Sequence, residues 1–390
     1  MKRISFSRKG AVILLLTFSL GVSANLIAVQ FWSDARDELG AAEVVSEGYR
    51  ATLLAKAGVE SAIAAIKTVP EEFIFRSKLA IEPPDIFVEQ CKPKCFISYR
   101  LQPEDGRLNL NYLVRQSDDQ PSMQFKMIFE RFFAGYGIPL DRVDSLIDWI
   151  DRNDTPTGNG GESRYYAALN PPRKVKNFPL FTLSEVVLIK GITYQMIYSS
   201  RKPTGDKENS TSFLTEDEKE LIAEDDWIPA NNLTAFYLPD MVGSDKINVN
   251  SARYHVLLSL SEMMRKETVL AIFRERRKQR GYIKDIRSLK NLPELEVKTS
   301  RGISLYEELA GGGSDNPVAA ATADKTNQNQ NQNQAVTGNE QRLSGILKTE
   351  GSIYRITGVG SLLPASDNET GGVVRRVTVL YDKARRSIVF

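Results

Sequence analysis

Histidine and cysteine are almost missing from this chain, which has one histidine and two cysteines in 390 residues. That scarcity removes whole classes of chemistry. His255 lies in Tyr254-His255-Val256-Leu257, an apolar helical context, and reads as a packed residue, so no nucleophile, base and orienter can be assembled around it. Catalysis is not expected. Cys91 and Cys95 make a poor zinc pair, because four ligands are normally needed and no histidine stands near them. An excess of charge of one sign is missing too. With Lys+Arg at 51 and Asp+Glu at 49, the net charge of +2 exerts no general pull on nucleic acid or anionic lipid.

A long run without charge is present at one place. Lys2, Arg3, Arg8 and Lys9 precede Gly10, and nineteen uncharged residues, Ala11 to Val29, follow before Asp34. As a helix this run measures ~28 Å, close to the ~30 Å hydrocarbon core of a bilayer. The basic flank stays cytoplasmic, so everything after Phe31 is expected on the far side of the membrane. Three readings compete. A signal peptide is cut after Val22-Ser23-Ala24 and leaves Asn25 as the new terminus. A plain anchor is not cut at all. A prepilin-like leader is cut between Gly10 and Ala11, and the apolar helix stays in the mature protein.

The continuation favours the third reading. Leu39, Ala42, Val45, Tyr49, Leu53, Ala57, Ile63 and Ile66 recur mostly three or four apart, with Asp37, Glu43, Glu47, Arg50 and Glu60 between them, and Pro70 closes the run. One helix is predicted over 11–67, of which 11–29 crosses the membrane. In an exported chain, Cys91-Lys-Pro-Lys-Cys95 is short enough to close as a disulfide loop, with free thiols or a metal pair as alternatives.

Beyond the helix the composition changes several times. Cys95 to Leu101 and Arg107 to Asn111 alternate as strands. Helical spacing covers Met123 to Tyr136, Leu140 to Ile150, Leu183 to Ile189, Ala252 to Leu260 and Glu267 to Lys278. A tract from about Gly311 to Gln341, rich in Asn and Gln, lacks apolar anchors and is expected to be disordered. Strand signals return at Ser352 to Val359, Val373 to Tyr381 and Arg386 to Phe390. The early strands alone are too few to be stable, so the fold class predicted is α+β, an antiparallel sheet interrupted by a large helical insertion. The predicted organisation is a leader (1–10), helix (11–67), first part of the sheet domain (68–113), inserted helical domain (114–305), linker (306–341) and terminal strands (342–390).

Five motifs then occur in one order: Asp105-Gly106-Arg107-Leu108-Asn109-Leu110-Asn111, Leu146-Ile147-Asp148-Trp149-Ile150-Asp151, Gly161-Glu162-Ser163-Arg164-Tyr165-Tyr166, Ser184-Glu185-Val186-Val187-Leu188-Ile189-Lys190-Gly191-Ile192 and Ile247-Asn248-Val249-Asn250-Ser251-Ala252. Together with the leader, this order resembles the K-type minor pseudopilins (GspK family) of type II secretion systems over residues 8 to about 290. The resemblance implies a pilin-like sheet behind the long helix and an inserted domain similar to SAM or helix-hairpin-helix modules. It implies a bacterial inner-membrane protein with its C-terminal domain in the periplasm. It also implies a place at the tip of a short filament beside I-type and J-type minor pseudopilins, on an inner-membrane assembly platform, after cutting by a prepilin peptidase. Most pilins carry glutamate at the fifth mature position; here it is Leu15. A tip subunit has no neighbour ahead to pair a buried carboxylate, so an apolar residue fits that place.

The segment from Asp151 to Glu162 concentrates oxygen ligands, as calcium requires. Asp151, Asn153, Thr155, Thr157, Asn159 and Glu162 imitate the spacing of an EF-hand loop, but Pro156 stands where that loop needs glycine. The family resemblance implies a different calcium loop, with Asp151, Asp154 and Glu162 at its acidic positions and Ser163 where an aspartate is common. A polar loop capped by its own side chains is the alternative. A rival function also has residues to stand on. Leu188 to Thr193 resembles a helix-hairpin-helix turn, and the basic run from Arg274 to Arg280 follows, which would suit a DNA-uptake pilus. The turn has one glycine in place of the usual pair, and a solvated helix face explains the basic run, so nucleic acid is the weaker reading.

Overall fold

A computed structural model describes residues 8–76, 95–202, 215, 220–237, 245–311, 345–362 and 372–389. The chain divides into two compact units. One comprises Met1–Ala64, Glu82–Arg100 and Thr357–Thr378; the other comprises Ala65–Ile81, Leu101–Ile356 and Val379–Phe390.

α1, Arg8–Thr68, is a single unbroken helix, and its residues up to Ala64 belong to the first unit. Its N-terminal half is long and apolar enough to cross a membrane, and none of its most apolar window is buried by protein. Further along, Gly48, Ala51, Ala55, Gly58, Val59, Ala62 and Ile63 form the buried face. The predicted stripe is therefore displaced: Leu39, Val45, Tyr49 and Leu53 stay exposed. Small residues win the inward face because the sheet approaches the helix backbone itself. A Cβ added at Gly358 would overlap the Ala55 carbonyl, and one at Gly360 would overlap that of Ala51.

Four strands form one sheet in the order β1 (Cys95–Pro103), β8 (Ile353–Leu362), β9 (Val373–Asp382), β10 (Ser387–Ile388). β9 and β10 pair antiparallel. β1 alternates buried and outward residues along its length, the period of two expected of a strand with one covered face. The mixed helix and sheet predicted from the sequence is present. The 342–390 segment returns to the sheet that β1 began, with the helical stretch between them in the chain.

In the second unit the core gathers Phe129, Phe132 and Phe133 of α3 (Met123–Gly135), Leu146 and Ile147 of α4 (Asp141–Ile150), and Val256 and Leu257 of α7 (Tyr254–Ser259). α8 (Lys266–Lys278) adds Val269 and Ile272. Ser122 caps α3 through the Phe125 N–H, and Gly137 ends it at φ 65°.

Two Asn-x-Asn segments do the same work at distant points. Leu108–Asn109 (β2) pairs parallel with Leu233–Thr234 (β5), and Ile247–Asn248 (β6) pairs parallel with Leu347–Lys348 (β7). In each, the first asparagine's Oδ1 accepts the N–H of the second, at 3.2 Å for Asn109 and 2.8 Å for Asn248. The second asparagine then acts as a surrogate strand. Asn111 donates to the carbonyls of Leu180 and Phe236 and accepts from Leu180 N; Asn250 donates to Ile283 and Thr349 and accepts from Ile283 N. This bonding explains why the strand predicted from Arg107 to Asn111 is only two residues long.

Glu104 and Asp105 begin the first of these segments and are both buried. Burial pushes Glu104 up, but Arg107 and Arg355 outweigh it and hold the carboxyl below the usual range. Asp105 stays raised by burial despite Lys348 at 2.7 Å and the Ser352 N–H at 2.7 Å. Glu71, in α2 (Glu71–Arg76), accepts from Gly351 N and from Lys383 Nζ.

Candidate metal centre

α4 carries alternating apolar and acidic residues, and its buried face includes Leu146, Ile147 and Ile150 together with Asp148. Asp148 and Asp151 stand one turn apart, so both project from one side of the helix end. The chain then turns through residues 152–162 and returns Glu162 as the residue before α5, Ser163–Ala167. Asp148, Asp151 and Glu162 each place a carboxylate oxygen within 4.8 Å of the others, and all three residues are buried.

Hydrogen bonds hold the loop and leave the cluster short of donors. Asp148 Oδ1 accepts the Thr157 N–H at 2.8 Å, and Asp151 Oδ2 accepts from Asn153 Nδ2 at 2.8 Å. Asn153 Oδ1 takes the Thr155 N–H at 2.7 Å, so its oxygen faces its own backbone. Asp148 Oδ2, Asp151 Oδ1 and both oxygens of Glu162 are buried without a hydrogen-bond donor. The near neighbour of Glu162 is Asp154, a second carboxylate, which can bond to it only if one of them carries a proton.

The electrostatic consequence is direct. Burial, then repulsion from Asp148, Asp151 and Asp154, pushes Glu162 up to about 8. Burial, then Asp148 and Asp119, pushes Asp151 up to about 7. Asp148 is also raised, mainly by burial. A divalent cation relieves all of these at once, and an all-oxygen donor set suits calcium over softer metals. The residues present fit such an ion.

Two of the three ligands read from the sequence, Asp151 and Glu162, meet in this cluster, and Asp148 joins them. Asp154 is exposed, and its Oδ1 accepts the Ser163 N–H at 3.0 Å, ahead of α5. Its side chain thus stands at the rim. Asp148 was legible only as a helix position one turn before Asp151, outside the oxygen-rich loop. The EF-hand imitation is not assembled, since Thr157 presents its N–H to Asp148.

The other predicted residues are not among the three of this cluster. Gly10 and Ala11 are within α1. Cys95 is disulfide-bonded, while Cys91, the other cysteine of the chain, lies outside the described residues, as does most of the Asn/Gln-rich tract. His255 is buried, with Nδ1 3.0 Å from Asp226 and its ring stacked 4.3 Å from Tyr136. In the hairpin-like turn, Leu183–Leu188 is a 3-10 segment where an α-helix was predicted; Thr182 and Glu185 cap it and its first turn is tight. In the basic run, Arg276 donates to the Val249 and Ala252 carbonyls, and Arg277 forks onto Glu220. These cations are engaged within the chain.

Among the described residues, a helix of membrane-spanning length, a sheet and a helical unit with an acidic centre are the features that define the class. Residues 106–202 match the family described as Type II secretion system (T2SS), protein K. A protein of Escherichia coli (strain K12), provisionally described as type II secretion system protein K, is 31% identical over 133 residues, 31% of this chain and 41% of that protein. The type II secretion system protein K of Pseudomonas aeruginosa is 32% identical over 96 residues, 23% of this chain and 28% of that protein. Both matches thus span less than half the length of these relatives. Among solved structures, the GspK-GspI-GspJ complex from the enterotoxigenic Escherichia coli Type 2 Secretion System aligns over 86% of this chain and 98% of the other at a TM-score of 0.40 and 14% identity.

Proposed function

We propose that this chain is a K-type minor pseudopilin, working at the tip of the type II secretion pseudopilus to start filament assembly and support export of folded proteins. The protein K domain at residues 106–202 carries the reading. The unbroken α1, apolar at its start and packed on a sheet further along, supplies the body plan of a pilin-like subunit. Such a subunit waits in the inner membrane with its domains in the periplasm. Its I-type and J-type partners dock along the helix face left uncovered by Leu39, Val45, Tyr49 and Leu53.

Calcium is the proposed ion of the acidic centre, held by Asp148, Asp151 and Glu162, with Asp154 at the rim. The cation would join the end of α4 to the start of α5 and so stiffen the domain without taking part in any reaction. The DNA-uptake reading is disfavoured by the residues it needs, since Lys190 and Arg277 already bond within the chain.

Processing tests the reading. The mature membrane protein is expected to begin at Ala11, with Gly10 removed by a prepilin peptidase. Mass analysis of its N-terminus checks this, and a terminus at Asn25 in a soluble periplasmic product overturns it.

A further inference from the structure

Lys190 crosses from the hairpin-like turn to the acidic loop. Its ammonium donates to the carbonyls of Asn159 at 3.0 Å and Gly160 at 2.7 Å, and lies 4.9 Å from the centre of the Tyr165 ring. Its backbone N–H donates to the Tyr166 hydroxyl at 3.0 Å. Both halves of the lysine therefore hold the segment around α5. Gly160 is wedged on its other side, because a Cβ there would overlap Asp148 Oδ2. The loop is pinched between a carboxylate of the cluster and one lysine.

We propose that Lys190 is the positioning residue of the cation site, fixing residues 157–161 against Asp148 so that ion binding and ordering of the 189–193 turn form one equilibrium. This rests on reading the acidic centre as a calcium site.

A lysine beside a cation would ordinarily repel it, and here two effects compete. The Lys190 ammonium is directed at two carbonyls and an aromatic face. Positioning therefore outweighs repulsion, and removing the lysine weakens binding. Linkage adds a requirement, since whatever the ordered turn contributes to calcium affinity, calcium must return to the turn.

The test uses the full chain in detergent micelles, with calcium titrated calorimetrically and amide exchange followed over residues 186–194. In the wild type, exchange in this turn slows when calcium is added. Lys190→Met is expected to weaken calcium about tenfold, the scale of second-sphere changes, and to abolish the calcium-dependent slowing. Lys190→Arg keeps a cation with several donors and restores most of the affinity. If Lys190→Met does not fold, Lys190→Gln, which keeps a donor, is read the same way. Unchanged affinity in Lys190→Met or its stand-in, or slowing that persists without the lysine, overturns the assignment. A wild type that binds no calcium overturns both this assignment and the calcium reading, which separates the two failures.

Discussion

Asp148 and Glu162 bring carboxylate oxygens within 4.8 Å of each other in a buried setting, joined there by Asp151. Like charges at that spacing oppose folding unless protons or a cation intervene. Two opposite effects are expected from Glu162→Gln or Asp148→Asn. Each variant should lose at least about tenfold in calcium affinity, as loss of a ligand implies. Each should also melt higher than the wild type in chelator at about pH 9, where the wild-type carboxylates are ionised and repel one another. Calorimetry and thermal unfolding check both, and unchanged calcium affinity would remove these residues from the site.

The same cluster sets a pH dependence. Asp151 and Glu162 hold protons up to about 7 and about 8, above their ordinary 3.8 and 4.5. Because the folded values exceed the unfolded ones, the folded chain binds more protons. Their contribution to stability is then full at low pH and is lost as pH rises through about 7 to 8. In chelator the melting point should fall from about pH 5 to about pH 9, and in saturating calcium that fall should flatten as the ion replaces protons. A profile that calcium does not alter contradicts the assignment.

Gly358 lies against α1 so closely that a Cβ would overlap the Ala55 carbonyl. Gly358→Ala is expected to destabilise the helix-and-sheet unit by about 1–3 kcal/mol, the usual range for overpacking. Chemical denaturation followed by circular dichroism measures it.

Asn111 and Asn250 each satisfy three backbone groups of distant segments. Truncation to alanine leaves buried donors and acceptors unpaired, at about 1–3 kcal/mol for each group left without a partner. Asn111→Ala and Asn250→Ala should each lower the melting point by several degrees, whereas Asn231→Ala, which removes one exposed hydrogen bond to the Asp225 carbonyl, should lower it less.

Much of this architecture is legible in the residues themselves. The uncharged Ala11 to Val29 run and its helical continuation give α1, and the alternation from Cys95 gives β1. The buried face of α1 was not legible in the same way. Apolar periodicity weights Leu53 and Tyr49 over Ala51, Ala55 and Gly58, yet the sheet selects small residues because backbones must approach closely. The first Asn-x-Asn segment reads as a strand because leucine and asparagine alternate, while its asparagine side chains divert the pairing to other parts of the chain. At the acidic centre, Asp151 and Glu162 were visible as loop carboxylates. Asp148 was visible in the Leu146–Asp151 motif but lay outside the oxygen-rich loop, and its burial follows only from the tertiary packing of α4.

Leu53 is exposed on α1 and lies on the face proposed for docking. The most direct measurement is co-purification of the tagged full chain, solubilised from membranes, with its I-type and J-type pseudopilins, wild type against Leu53→Asp. The account predicts that the wild type retains both partners and that the variant loses them while keeping its melting point. A wild-type chain that leaves the membrane with neither partner, or a variant that keeps both, would contradict it.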